Sequence, residues 1–165
     1  MLHVTCFVII LGIDPGTTRI GYGVIKKTSN KLECVDYGII AHFEKDRAEQ
    51  IRLVNSSLSG LIKKHRPEIS GIEKLFFFKN QKTIISVSEM RGVLLASLAL
   101  NGVPIEEFTP LQIKQAVSGY GRAGKDQVQQ MVKLILGLKT DIKPDDAADG
   151  LAIAICCANS MSNRS

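Results

Sequence analysis

Apolar positions open the chain as a nearly unbroken run and then change period. "FVIILGID" (residues 7–14) ends on Asp14 and a Pro-Gly turn, and "YGVIKK" and "KLECVDYGII" follow, separated by Gly, Pro and Asn signals. Short β-rich runs joined in this way predict a three-stranded antiparallel meander. Between residues 47 and 65 the spacing becomes helical, with Ile51, Val54, Leu58, Leu61 and Ile62 on one side and Pro67 as the stop. "ISGIEKLFFF" (69–78) returns to strand, residues 84–101 read as an apolar helix closed by Asn101-Gly102, and "VPIEEF" (103–108) is a short strand. The rest is helical, broken at "SGYGRAGK" (118–125). The predicted order is β-β-β-α-β-α-β-α-α, an α/β single domain over 1–165 with one mixed sheet between helices.

The helix over 84–101 is apolar almost all round. Val87, Met90, Leu94 and Leu98 form one stripe, while Gly92, Ala96 and Ala99 form a second that is small enough for close approach. Two apolar faces need two partners. One is expected to be the sheet, and the other the same helix of a second subunit across a two-fold axis, giving a homodimer.

Charge adds a direction. The formal net charge of +5 suits a polyanionic partner. It is concentrated between Pro110 and Lys143, where Lys114, Arg122, Lys125, Lys133, Lys139 and Lys143 face only Asp126 and Asp141. At 165 residues the chain has room for one sizeable core and not for two nucleotide-binding lobes. The opening apolar run is about eight residues, short of the roughly 20 that span a bilayer, and no basic segment precedes it. No membrane partner is expected. Cys6, Cys34, Cys156 and Cys157 lack C-x-x-C spacing, and with three histidines they offer no zinc pattern. They read as reduced thiols, mostly in the core, of a cytoplasmic protein.

The acidic residues carry the chemistry. Asp14 ends the first strand, Glu73 lies in the fourth, and "KPDDAADGLAIAICCA" sets Asp146 and Asp149 three residues apart, hence on one face of a helix in its first turns. Asp145 and Asp146 alone fit ordinary helix N-terminal charges, with Pro144 suited to the helix start. Asp149, among Ala148, Leu151 and Ala152, does not. Carboxylates in apolar surroundings need a cation beside them. Four of them without nearby His or Cys make an oxygen-only set, the preference of Mg²⁺ or Mn²⁺. Two such ions suit phosphodiester hydrolysis. The turn after Asp14 admits a second reading, a loop for the phosphates of ATP.

Four segments then act together. "LGIDPGTTRIGYGVI", "GIEKLFFFKNQKT", "QIKQAVSGYGRAGKDQVQQMV" and "DDAADGLAIAI" resemble, in order and over nearly the whole chain, the RuvC family of bacterial Holliday junction resolvases, within the ribonuclease H-like superfamily. The resemblance implies a ribonuclease H-like mixed sheet, three antiparallel strands followed by parallel ones, with helices on both faces. It implies a divalent-metal-dependent endonuclease that nicks opposing strands of four-way junction DNA in recombination and repair, with RuvA and RuvB as branch-migration partners. By the same resemblance Asp14, Glu73, Asp146 and Asp149 are the catalytic metal ligands, for two Mg²⁺ ions with Mn²⁺ as a substitute. Phe76 would disturb base stacking, Lys79 lies in the loop that follows, and Lys114 and Lys125 would meet phosphates. The first segment also resembles the phosphate loop of actin-like ATPases and sugar kinases, but the chain offers no second phosphate loop or adenosine segment. A junction-binding protein without nuclease activity would lack a carboxylate, and all four are present.

Overall fold

The computed structural model describes residues 7–41, 43–75 and 81–162, without the side chains of 81–83. The elements are β1 (Val8–Asp14), β2 (Arg19–Lys27), β3 (Leu32–Ala41), α1 (Arg47–His65), β4 (Ile69–Glu73), α2 (Gln81–Leu100), β5 (Ile105–Phe108), α3 (Pro110–Ser118), α4 (Lys125–Ile135) and α5 (Asp145–Ser162). One five-stranded sheet has the order β3-β2-β1-β4-β5. The β1–β2 and β2–β3 pairs are antiparallel, and β1–β4 and β4–β5 are parallel. This is the expected mixed sheet. β1 and β4 therefore end side by side, at the carboxyl edge where open α/β sheets receive ligands.

Side-chain alternation sorts the two faces. Leu11, Ile13, Ile20, Val24 and Ile72 join one core with Val54, Leu58 and Ile62 of α1 and Met90, Leu94 and Leu98 of α2. Ile10 and Ile25 pack on the other face against α5, which α3 and α4 cover from outside through Ile113, Val117, Val128 and Val132. Covered on both sides, α5 is buried without interruption from Gly150 to Ala158.

Glycine lets α5 lie this close. A Cβ on Gly12 would stand 2.1 Å from the carbonyl oxygen of Gly150 and 2.4 Å from the nitrogen of Ala154. One on Gly21 would stand 1.8 Å from the carbonyl oxygen of Asp146. The first turn of α5 is thus pressed onto β1 and β2 at the level of Asp14.

Three details depart from the sequence-based expectation. The chain ends in three helices rather than two, because Leu136 to Pro144 separates α4 from α5, with Gly137 in the left-handed region at φ 63. The fourth strand stops at Glu73, where its neighbour β5 also runs out, so Lys74 and Leu75 are not strand. Ile51 is 38% exposed and belongs to neither core, as the first turns of α1 up to Arg52 lie largely in solvent. The remaining boundaries have local causes. Asp46 caps α1 through a bond from the Glu49 amide at 2.8 Å, and Thr109 and Gln112 form a capping box ahead of Pro110 in α3.

The two faces of α2 differ as the pattern implied. Met90, Leu94 and Leu98 are fully buried, whereas Gly92, Ala96 and Ala99 lie along a different side of the helix, on which Ile85 and Leu100 are exposed. Cys156 and Cys157 are buried in α5 and Cys34 is half-buried, while Cys6 lies outside the described residues. Among the described residues no helix is long and apolar enough to cross a membrane.

Candidate functional site

Residues 10, 12 and 14 of β1 share a face, so the alternation that turns Ile10 toward α5 also turns Asp14 toward it. Asp146 and Asp149 come down from the first turns of α5 onto the same point. Carboxylate oxygens of Asp14, Asp146 and Asp149 lie within 4.8 Å of one another, the only such acidic group among the described residues. Glu73 is not within that trio. It ends β4 one position beyond the Ile13↔Ile72 pair, beside Asp14, and lines the same cavity of about 290 Å³, together with Asp14, Asp149, Lys114 and Lys125. Asp145 points elsewhere, 3.5 Å from Lys143.

The electrostatics follow from crowding. Burial first, then Glu73, Asp149 and Asp146, hold the Asp14 carboxyl well above the usual range, with Lys125 opposing. Burial and then Asp149 push Glu73 up to about 7, against the pull of Lys114. Asp149 is also raised, by burial, although Lys125 lies 3.2 Å away. Burial works against the charge of Lys125, but its carboxylate neighbours, Asp149 foremost, keep its pKa above the ordinary value. Such a set favours a bound cation: oxygen donors only, carboxylates close enough to share one ion, and excess negative charge behind an apolar wall of Ile113 and Val128.

Of the residues singled out in the sequence, Asp14, Asp146 and Asp149 converge, Glu73 faces them, and Lys114 and Lys125 border the same cavity. Phe76 and Lys79 lie outside the described residues. Sequence reasoning missed Arg91 of α2, whose Nε donates to the Glu73 carbonyl at 3.1 Å and whose Nη2 pairs with Glu107. The one signal for it was a charge in the middle of an apolar helix. It also missed that Lys125 reaches a carboxylate directly.

The family model described as crossover junction endodeoxyribonuclease RuvC matches residues 10–157. Crossover junction endodeoxyribonuclease RuvC of Petrotoga mobilis is 51% identical over 153 residues, 92% of this chain and 93% of that one. The protein of the same name from Fusobacterium nucleatum is 46% identical, over 94% of this chain and 82% of that one. T. thermophilus RuvC, solved in complex with Holliday junction substrate, superposes with a TM-score of 0.88 at 31% identity, covering 95% of this chain and 96% of the other.

Proposed function

The chain belongs to the RuvC family of crossover junction endodeoxyribonucleases, and from that premise we propose that it resolves four-way DNA junctions by paired symmetric nicks, using Asp14, Glu73, Asp146 and Asp149 as ligands for two divalent ions. The observation that carries the reading is the convergence of three carboxylates within 4.8 Å at the carboxyl end of β1, with Glu73 and two lysines lining the same cavity. Mg²⁺ is the ion of choice, with Mn²⁺ as a substitute. Divalent ions supply, when bound, a lowered pKa for the attacking water and neutralisation of charge on the leaving 3′-oxygen.

The residues do the rest. Asp14, fixed at the end of β1 beside Asp146 and Asp149, would hold a bound ion together with them. Asp146 and Asp149 are carried on a helix that the glycines of β1 and β2 hold against the sheet, so their spacing to Asp14 is rigid. Lys114 and Lys125 offer positive charge to the phosphates entering the cavity, and Lys125 exchanges its carboxylate partner for one of them. Phe76 and Lys79, beyond the end of β4, are read as meeting the bases and backbone near the crossover. Incubating the protein with junction DNA, linear duplex and ATP, with and without Mg²⁺, tests this. Metal-dependent cleavage of the junction is expected; ATP hydrolysis without cleavage, or cleavage in chelator, would overturn the reading.

Changing Lys114 and Lys125 together should weaken junction binding and flatten its salt dependence, by roughly one log-log unit for each phosphate that is no longer neutralised. Affinities measured across a salt series check this, and an unchanged slope removes the lysines from the interface.

We also read the Ile85, Gly92, Ala96 and Ala99 side of α2 as the surface joining two subunits, because symmetric nicks call for two sites at a fixed separation. Light scattering at micromolar concentration should give twice the chain mass. A monomer that still resolves junctions is the contrary result. The site of action is the cytoplasm, with RuvA and RuvB as partners that bring the junction.

A further inference from the structure

We infer that Arg91 is a positioning residue for the reaction: from behind the sheet it holds the end of β4, and with it the Glu73 carboxylate. The inference rests on the reading of Glu73 as a ligand of the metal site.

The β1–β4 ladder runs from Ile10↔Ile69 to Ile13↔Ile72, so Glu73 stands one residue past its last pair with β1. On the β5 side Glu73 is still in register with Phe108, and the amide of Lys74 donates to the Phe108 carbonyl at 2.7 Å. The carbonyl of Glu73 takes its bond from Nε of Arg91 at 3.1 Å.

The guanidinium is anchored at its other end as well. Nη2 of Arg91 pairs with Glu107, and Glu107 is the β5 residue opposite Ile72. Ile72 faces the core formed with α1 and α2, and Glu107, its register partner, shares that face. Glu73, one residue on, turns its carboxylate to the opposite face, toward α5. Arg91 thus comes from α2 and grips only the backbone of Glu73, leaving the carboxylate free for a cation. A planar fork bonded at both Nε and Nη2 has its reach and roll determined; the Nε bond to the Glu73 carbonyl is half-buried, while Glu107 at the other end is open to solvent. No other described hydrogen bond joins α2 to the strand end that bears a carboxylate of the site.

An ordinary ion pair seating α2 on the sheet would need only the charge on residue 91. Arg91→Lys keeps that charge for Glu107 but cannot fill both roles of the fork. Arg91→Met removes both. Removing a group that orients a metal ligand typically costs tenfold to a hundredfold in metal affinity or activity. Both variants are therefore expected to bind Mn²⁺, titrated directly into the metal-free protein by calorimetry, about tenfold or more weakly. Their single-turnover cleavage rate should fall by a similar factor, with junction affinity in chelator unchanged and the melting temperature of Arg91→Lys at the wild-type value. Wild-type Mn²⁺ affinity and cleavage rate in Arg91→Lys would overturn the positioning role, as would a loss of melting temperature in Arg91→Met with Mn²⁺ affinity intact. If Arg91→Met does not fold, Arg91→Lys carries the test alone. The underlying reading fails separately, if the wild-type protein itself neither binds Mn²⁺ nor cleaves the junction.

Discussion

Asp14→Asn or Glu73→Gln should abolish junction cleavage, with the rate falling at least about a thousandfold, while junction binding is kept or improves. Losing a metal ligand forfeits several kcal/mol of charge stabilisation at the reacting phosphate, and each 1.36 kcal/mol is a factor of about ten. Binding moves the other way because metal-free carboxylates repel both one another and the incoming phosphate. Crowding also makes a prediction about pH. Folded Glu73 titrates at about 7, and Asp14 is raised as well. These groups hold protons more tightly folded than unfolded, so their stabilisation is complete below the ordinary carboxylate range and is lost as pH rises through the folded value. The metal-free protein should lose stability between about pH 4.5 and 7, by roughly 3 kcal/mol from Glu73, and Glu73→Gln should remove that part of the slope. Cleavage time courses, gel-shift affinities and melting curves in chelator measure all three. Equal loss of binding and cleavage at wild-type melting temperature would withdraw the carboxylates as metal ligands.

Gly12→Ala should destabilise the protein by about 3 kcal/mol or more, lowering Tm by about 10 °C. The added Cβ meets backbone, not a movable side chain: the carbonyl oxygen of Gly150 at 2.1 Å and the nitrogen of Ala154 at 2.4 Å. The helix can only answer by lifting off β1, which exposes the core around Leu151 and Ile153 and separates Asp146 and Asp149 from Asp14. Metal affinity should fall along with stability. Gly60→Ala is the control. It lies exposed in α1 with nothing within 4 Å of the added Cβ, and there alanine should stabilise by about 0.5–1 kcal/mol. Thermal melts of the two variants decide it, and a Gly12→Ala protein as stable as wild type would mean that α5 does not pack as described.

Much of this was legible along the chain because its causes are local. The meander follows from apolar runs and turn residues, α1 from spacing and Pro67, and the candidate ligands from being carboxylates in apolar company, which is a property of immediate neighbours. Resemblance in four unevenly spaced segments identified the family. Less was legible at the edges of elements. That β4 ends at Glu73 depends on how far β1 and β5 extend beside it, and the end of α4 on the left-handed Gly137, although Pro144 had already suggested where the next helix starts.

By itself, then, the amino-acid order determined the elements, the two faces of each strand and the identity of the acidic residues, since these need only a few neighbouring positions. Only the tertiary structure decided how they meet. Asp145 and Asp146 are equivalent as sequence, but each residue turns a helix by about 100°. The close approach of Gly150 to β2 sets the rotation of α5 so that Asp146 enters the cluster and Asp145 turns to Lys143. Lys125 against Asp149, and Arg91 against the carbonyl of Glu73, join segments far apart in the chain. No periodicity encodes such pairs, because they exist only once the sheet and its helices have closed on each other.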